Sequence, residues 1–196
     1  GFIEIKRGTG EYEGLILTTY SGITEASNAW EKYPVLREFR GLIIDTNGNI
    51  VARPFEKTHK AGDEIPLEKL EIIPEKVFEK ANGSMGIVYF WKNKWRVATK
   101  FSFESEEYTK PVYEMLNRMD TSALDTNKTH LFEIILPNDS HIVDYGGKQD
   151  LIFLNSVIPE TGEPADWDEV SKTAQKLGAR TARDMTADFP DKTIAD

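Results

Sequence analysis

The 196-residue sequence has no cysteine. That excludes disulfide frameworks, thiolate metal sites and cysteine nucleophiles, and it fits a reducing compartment such as the cytoplasm. No run of 18 apolar residues occurs, and no leader-type apolar segment opens the chain, so a membrane partner is not expected. Histidine is scarce. His59, His130 and His141 lack metal-ligand spacing and read as structural or exposed. The glycine-rich phosphate loops and the serine-hydrolase elbow are also missing. Positive charge is in deficit: 24 Lys and Arg stand against 33 Asp and Glu, a net charge of −9. A surface that coats polyanions is thereby excluded, and any nucleic acid must go to a local basic cleft.

Hydrophobic residues make up 39% of the chain, enough at this length for one sizeable core. No repeat, low-complexity stretch or linker divides it. Strand-like runs cover 14–20, 86–91, 95–100, 131–136, 141–144 and 151–155. Asn47-Gly48 between two β-rich runs predicts a hairpin, with Arg40 entering one strand and Arg53 and Lys57 leaving the other. The 86–91 and 95–100 strands should pair across a tight turn at Lys92-Asn93-Lys94. Val112, Met115, Leu116 and Met119 recur at helical spacing, and Glu104, Glu106 and Glu107 read as that helix's first turn. A second helix has Asp166 as N-cap, Glu169 three residues on, and Gly178 past its end. Residues 1–13 and 179–196 carry no clear pattern, and 61–74 reads as a polar connection. The expectation is a single α+β domain with mostly antiparallel sheet.

The chemistry concentrates around Lys80-Ala81-Asn82-Gly83-Ser84, between an apolar pair (Val77, Phe78) and the strand at 86–91. A lysine nucleophile needs a strand end, a turn and a glycine where no Cβ fits. Lys-x-x-Gly alone also describes an ordinary surface turn. Glu133 interrupts the apolar run 131–136, and alternation places it with Leu131 and Ile135, opposite Phe132 and Ile134. A carboxylate there is either paired or bound to something, or it faces water on an edge strand. Lys100 ends a strand and is expected near Lys80. Arg40, Arg53 and Lys57 give three cations from one hairpin, a set suited to phosphate. Asp45 and Asp144 lie at strand ends, where a metal is conceivable but nothing singles them out.

The order of these segments resembles the bacteriophage-type ATP-dependent RNA ligases that repair broken tRNA. Arg40-Gly41-Leu42-Ile43 is followed by Ala52-Arg53-Pro54-Phe55-Glu56-Lys57 and then by the Lys80–Ser84 motif. Thr99-Lys100-Phe101-Ser102, the run from Phe132 to Pro137, and Leu151 to Asn155 with Glu160-Thr161-Gly162-Glu163 follow in family order, so the similarity covers about residues 12–177. The resemblance implies a nucleotidyltransferase fold, two antiparallel sheets with flanking helices around an ATP cleft. It implies that Lys80 takes AMP from ATP, passes it to an RNA 5′-phosphate, and that a 3′-hydroxyl then seals the strand. Arg40, Arg53, Lys57, Gly83, Ser84, Lys100, Glu133 and Leu154 are the implied ATP-binding residues, with Leu154 at the adenine. Mg²⁺ is the implied metal, with Glu133 on the ribose or on a metal-bound water. Two departures stand out. Ala81 and Asn82 replace the family's acidic residues after the lysine, and 178–196 contains neither a Glu-Gly-x-Val nor a Lys-x-Lys strand. The sequence therefore reads as one adenylyltransferase domain, 1–196, cut short before two motifs and impaired in catalysis, with its C-terminal part missing. A DNA ligase, an RNA-capping enzyme and a non-catalytic nucleotide- or RNA-binding module are the alternatives.

Overall fold

The computed structural model describes residues 1–58, 76–137, 139, 143 and 145–188. Eight strands form two antiparallel sheets. β1 (Ile3–Arg7), β2 (Leu15–Tyr20), β3 (Arg40–Asp45) and β4 (Ile50–Ala52) lie in that order in the first. In the second, β5 (Ser84–Trp91), β6 (Lys94–Thr99), β7 (Thr129–Ile135) and β8 (Asp150–Val157) take the order β6-β5-β7-β8. This is the α+β architecture expected from the sequence. β1 was not legible: four of its five side chains are exposed, as suits a charged edge strand.

Side-chain alternation explains the stacking. One face of the second sheet presents Ile87, Tyr89, Ala98, Leu131 and Val157, which bury Leu15, Leu17, Ile43 and Ala52 of the first. The opposite face presents Val88, Val97, Phe132, Ile134, Leu151 and Phe153 to two helices. These are α2 (Thr109–Leu116) and α3 (Trp167–Leu177); a short α1 (Gly22–Ala26) follows β2. Glu133 shares its face with Leu131 and Ile135, so it belongs to the side that looks toward the first sheet.

Local chemistry sets the boundaries. Lys92 and Asn93 both have positive φ (49° and 60°), so the β5–β6 turn is a two-residue loop closed by the Trp91–Lys94 pair. Asp45 Oδ1 accepts the N–H groups of Asn47 and Asn49, which consumes that carboxylate in the β3–β4 turn rather than on a metal. α2 starts at Thr109, not in the Glu104–Glu107 run. Pro111 accounts for this: in the first turn its missing N–H costs nothing, whereas a start at Glu104 would put it in the helix interior. α3 behaves as expected, with Asp166 accepting Glu169 N–H at 2.8 Å and Gly178 left-handed at its end. His130 is buried, held by Ser156 Oγ (2.8 Å) and Asp125 O (2.9 Å), and burial pushes it down to about pH 4. His59, His141, Asp144, most of the expected 141–144 strand and all of 61–74 lie outside the described residues.

Candidate active site

Lys80 lies in an extended segment just before β5, and that segment is braced on both sides. Upstream, Val77 O accepts from Met185 N–H (2.8 Å), Glu79 N–H donates to Arg183 O (2.9 Å), and Phe78 forms a bridge with Asp184. The partner is the tail at 183–185, which carries no clear pattern in the sequence. Downstream, Asn82 N–H donates to the Tyr145 hydroxyl at 2.9 Å, and Gly83 N–H to Glu133 Oε1 at 2.7 Å. Between them Ala81 is buried with Ile135 and Ile152. The Lys80 side chain itself is exposed and makes no hydrogen bond or ion pair with any described residue. A fixed backbone under an uncommitted amine is what a nucleophilic lysine needs.

Glu133 is on β7, an inner strand between β5 and β8, so the water-facing edge position is ruled out. Its carboxylate is spent on the turn that follows Lys80. Gly83 has a steric reason to be glycine: a Cβ would fall 2.2 Å from Ile134 O and 2.9 Å from Ile135 Cδ1. The demand comes from β7 rather than from a ligand. Leu154 is the extra residue of a bulge, since Phe153 pairs with Phe132 and Asn155 with Leu131. A bulge re-aims one side chain; Leu154 packs beside the Ala81–Ile135–Ile152 cluster, directly behind the lysine segment.

A cavity of about 360 Å³ adjoins this turn, lined by Arg40, Gly83, Ser84, Met85, Lys100 and Phe101 among others. Gly41 lets the two sheets close beside it: φ is +101°, and a Cβ would lie 3.0 Å from Lys100 Cα and 2.8 Å from Ile87 Cδ1. Arg40 thus sits where β3 meets the end of β6, and its Nη1 reaches Glu56 O only at 3.5 Å. Ser84 Oγ donates to Asp139 Oδ2 at 3.0 Å. Lys100 is not a cross-strand partner of Lys80. Gly86 pairs with Thr99, which puts Lys100 level with Met85.

The hairpin's three cations part company. Arg53 is a staple: Nη1 pairs with Glu38 at 2.9 Å, Nε donates to Pro159 O at 2.6 Å, and Nη2 to Glu160 O at 3.3 Å. It fixes β4 to the turn after β8, with all three guanidinium nitrogens bonded to protein atoms. Lys57 turns to Glu25 (3.3 Å) and to the rings of Trp30 and Tyr20, 5.5 and 5.9 Å away. Lys100 Nζ lies 3.8 Å from the same Tyr20 ring. Tyr20 therefore gathers Lys57 and Lys100 at the cleft, and edge-on contact with Trp30 at 5.3 Å holds it. Sequence reasoning missed Tyr20, Tyr145 and Asp139, for an aromatic at a strand end or a residue in a polar loop carries no local signature. Among the described residues no three His, Cys, Asp or Glu side chains converge as a metal cage. Glu133 on the Gly83 N–H and Asp139 on Ser84 are the carboxylates met at this turn, which fits an ion held mainly by phosphate oxygens and water.

No curated protein matches the sequence. Among solved structures, an archaeal ATP-dependent RNA ligase (form 1) is similar with TM-score 0.63 and 15% identity, over 94% of this chain and 47% of that one. Its form 2 gives 0.60 and 14%, over 92% and 46%. A putative ATP-dependent DNA ligase from Aquifex aeolicus gives 0.60 and 13%, over 94% and 47%. The chain spans about half the length of these proteins, and at such identities the likeness shows the fold: that of the ligase nucleotidyltransferase domains. The RNA ligase family model matches residues 38–193, from before Arg40 through the Lys80 turn and Glu133 to beyond α3, and the chain belongs to that family.

Proposed function

We propose that this chain performs the lysine-adenylylation chemistry of an ATP-dependent RNA ligase. The observation that carries this is the uncommitted Lys80 amine on a backbone held at Glu79, Asn82 and Gly83. Lys80 Nζ, its lone pair free after proton loss to solvent, attacks the α-phosphorus of ATP; an N–P bond forms as the P–O bond to the leaving pyrophosphate breaks, and a second amine proton leaves to solvent. An RNA 5′-phosphate oxygen next attacks the same phosphorus and frees the lysine. Finally a 3′-hydroxyl attacks the activated 5′-phosphorus, and AMP leaves. Arg40 and Lys100 are the cavity's cations for the charge that develops on phosphate. Lys57 meets Lys100 at the Tyr20 ring, Ser84 lines the cavity, and Leu154 is the residue for the adenine. When bound, Mg²⁺ neutralises phosphate charge, and Glu133 would hold one of its waters.

The substrates of this reading are RNA ends bearing 5′-phosphate and 3′-hydroxyl, broken tRNA among them. The setting is the cytoplasm of a bacterial or phage-infected cell. The net charge of −9 suggests a second reading, a module that binds nucleotide or RNA without chemistry. Intact mass spectrometry after incubation with ATP and Mg²⁺ separates the two. The expected result is one added AMP on the wild-type chain and none on Lys80→Ala. The same adduct on both proteins removes Lys80 as nucleophile. No adduct on either, with nucleotide still bound, selects the binding module. An adduct from GTP in place of ATP points to capping chemistry.

A further inference from the structure

We infer that Phe101 is the stacking platform for the terminal base of the RNA strand, so that this site grips an RNA end by its base as well as its phosphate. The inference rests on the RNA-joining reading of the cavity. Phe101 is 57% exposed, the most exposed aromatic among the described residues, in a chain that buries Tyr12, Tyr20, Trp30, Tyr89, Phe132 and Phe153. Solitary exposed rings need no explanation, but this one has a particular place. It lines the cavity that also holds Arg40 and Lys100. Lys100 Nζ lies 4.7 Å from its ring centroid, while the same amine contacts the Tyr20 ring.

The ring is also presented rigidly. Thr99 N–H donates to Ser102 O at 2.9 Å, closing a tight turn over residues 99–102, and Phe101 N–H donates to Thr99 Oγ1 at 3.3 Å. Phe101 stands at the tip of that turn. Single-stranded nucleic acids are held by this pairing of a cation for the backbone with an aromatic face for a base, and any base satisfies the face. With a net charge of −9, the chain can attract RNA only where cations are grouped, and Arg40 and Lys100 are grouped beside this ring. A phosphate on those cations leaves the attached nucleoside next to Phe101. The ring contact the structure gives it is with the Lys100 ammonium, and more than half of the residue stays open to a ligand.

The experiment measures binding of a short oligouridylate carrying a 5′-phosphate, by fluorescence anisotropy, to the wild-type chain, Phe101→Ala and Phe101→Trp. A base stack contributes enough that Phe101→Ala should weaken binding by about five- to a hundredfold. Phe101→Trp should restore it, and its indole fluorescence should quench on binding. An oligonucleotide abasic at the terminal position should lose the same factor on wild type, and no more on Phe101→Ala. Equal affinity of wild type and Phe101→Ala overturns the inference, as does a wild type indifferent to the missing base or unable to bind the oligonucleotide. The AMP adduct on Lys80, read separately on the wild-type chain, tells the two failures apart. An adduct without Phe101-dependent binding sinks only this inference, and Phe101-dependent binding without an adduct sinks only the adenylylation reading.

Discussion

Gly83→Ala tests whether the turn after Lys80 is held as tightly as its contacts indicate. The new Cβ would lie 2.2 Å from Ile134 O and 3.0 Å from Ile134 C, both backbone atoms of a central strand. Neither can swing aside as a side-chain tip would, so the β5 turn must move away from β7. That motion also breaks the 2.7 Å bond between Gly83 N–H and Glu133. Overpacking of this kind costs about 1–3 kcal/mol, and losing a hydrogen bond to a charged group costs about 1.5–3 kcal/mol. One movement produces both effects, so they overlap, and the loss should be about 3–5 kcal/mol. For a protein of this size that lowers the melting midpoint by roughly 6–20 °C. Gly22→Ala is the control: nothing lies within 4 Å of its Cβ and it starts α1, so its effect should stay within about 1 kcal/mol. Thermal and urea unfolding read the stability, and intact mass reads AMP uptake. A Gly83→Ala protein that melts with wild type and takes AMP at the wild-type rate would refute the close β5–β7 approach and the bracing of Lys80 inferred from it.

Other perturbations have separable signatures. Tyr89 is fully buried and its hydroxyl has no partner among the described residues, so Tyr89→Phe should stabilise the protein by about 0.5–2 kcal/mol, read by urea unfolding; destabilisation would mean the hydroxyl is bonded in solution. Arg53→Ala removes the Glu38 pair and two carbonyl bonds and should cost about 2–4 kcal/mol, with Arg53→Lys recovering little because an ammonium cannot span all three. Arg53→Ala that melts like wild type but binds ATP far more weakly would return Arg53 to the ligand. Neutral His130 titrates at about 4 when folded and near 6.5 when unfolded. Between those values the unfolded chain holds more protons, so stability falls as pH drops. The loss should reach about 2–4 kcal/mol, and His130→Gln should flatten that slope in urea unfolding at several pH values. An unchanged slope would place the effect elsewhere.

Periodicity and turn chemistry made most of the fold readable before any coordinates. Alternation over 86–100 and 131–136, Asn47-Gly48, and the Asp166–Gly178 caps each became the expected element, because each is a local signal that tertiary structure did not override. What escaped was decided by distant partners. β1 is a strand because β2 offers it a ladder, since three of its five residues are charged and Ile5 is exposed. The segment before Lys80 is extended because residues 183–186 pair with it, and no property of Val77 or Phe78 announces that. The three hairpin cations share a sequence neighbourhood, yet carbonyls from the turn at Pro159 and Glu160 claim Arg53, while Tyr20 and Trp30 claim Lys57. Formal charge identifies candidates, whereas partners assign their roles.

The same distinction explains why Glu133 serves the site without needing to touch a metal. An inner-strand carboxylate on the cleft face would carry a desolvation cost unless something satisfied it, and the Gly83 N–H does so. Removing that acceptor leaves a part-buried N–H unpaired one turn from the nucleophile. Glu133→Ala should therefore cost about 1–3 kcal/mol in unfolding experiments with no ligand present. Glu133→Gln keeps an acceptor oxygen and should retain most of that stability. If Glu133 also holds a metal-bound water, Gln will still fall short in AMP uptake at limiting Mg²⁺ and recover as Mg²⁺ rises. If its role is confined to the turn, Gln and wild type will show the same Mg²⁺ dependence, and the carboxylate's negative charge is then dispensable to the reaction.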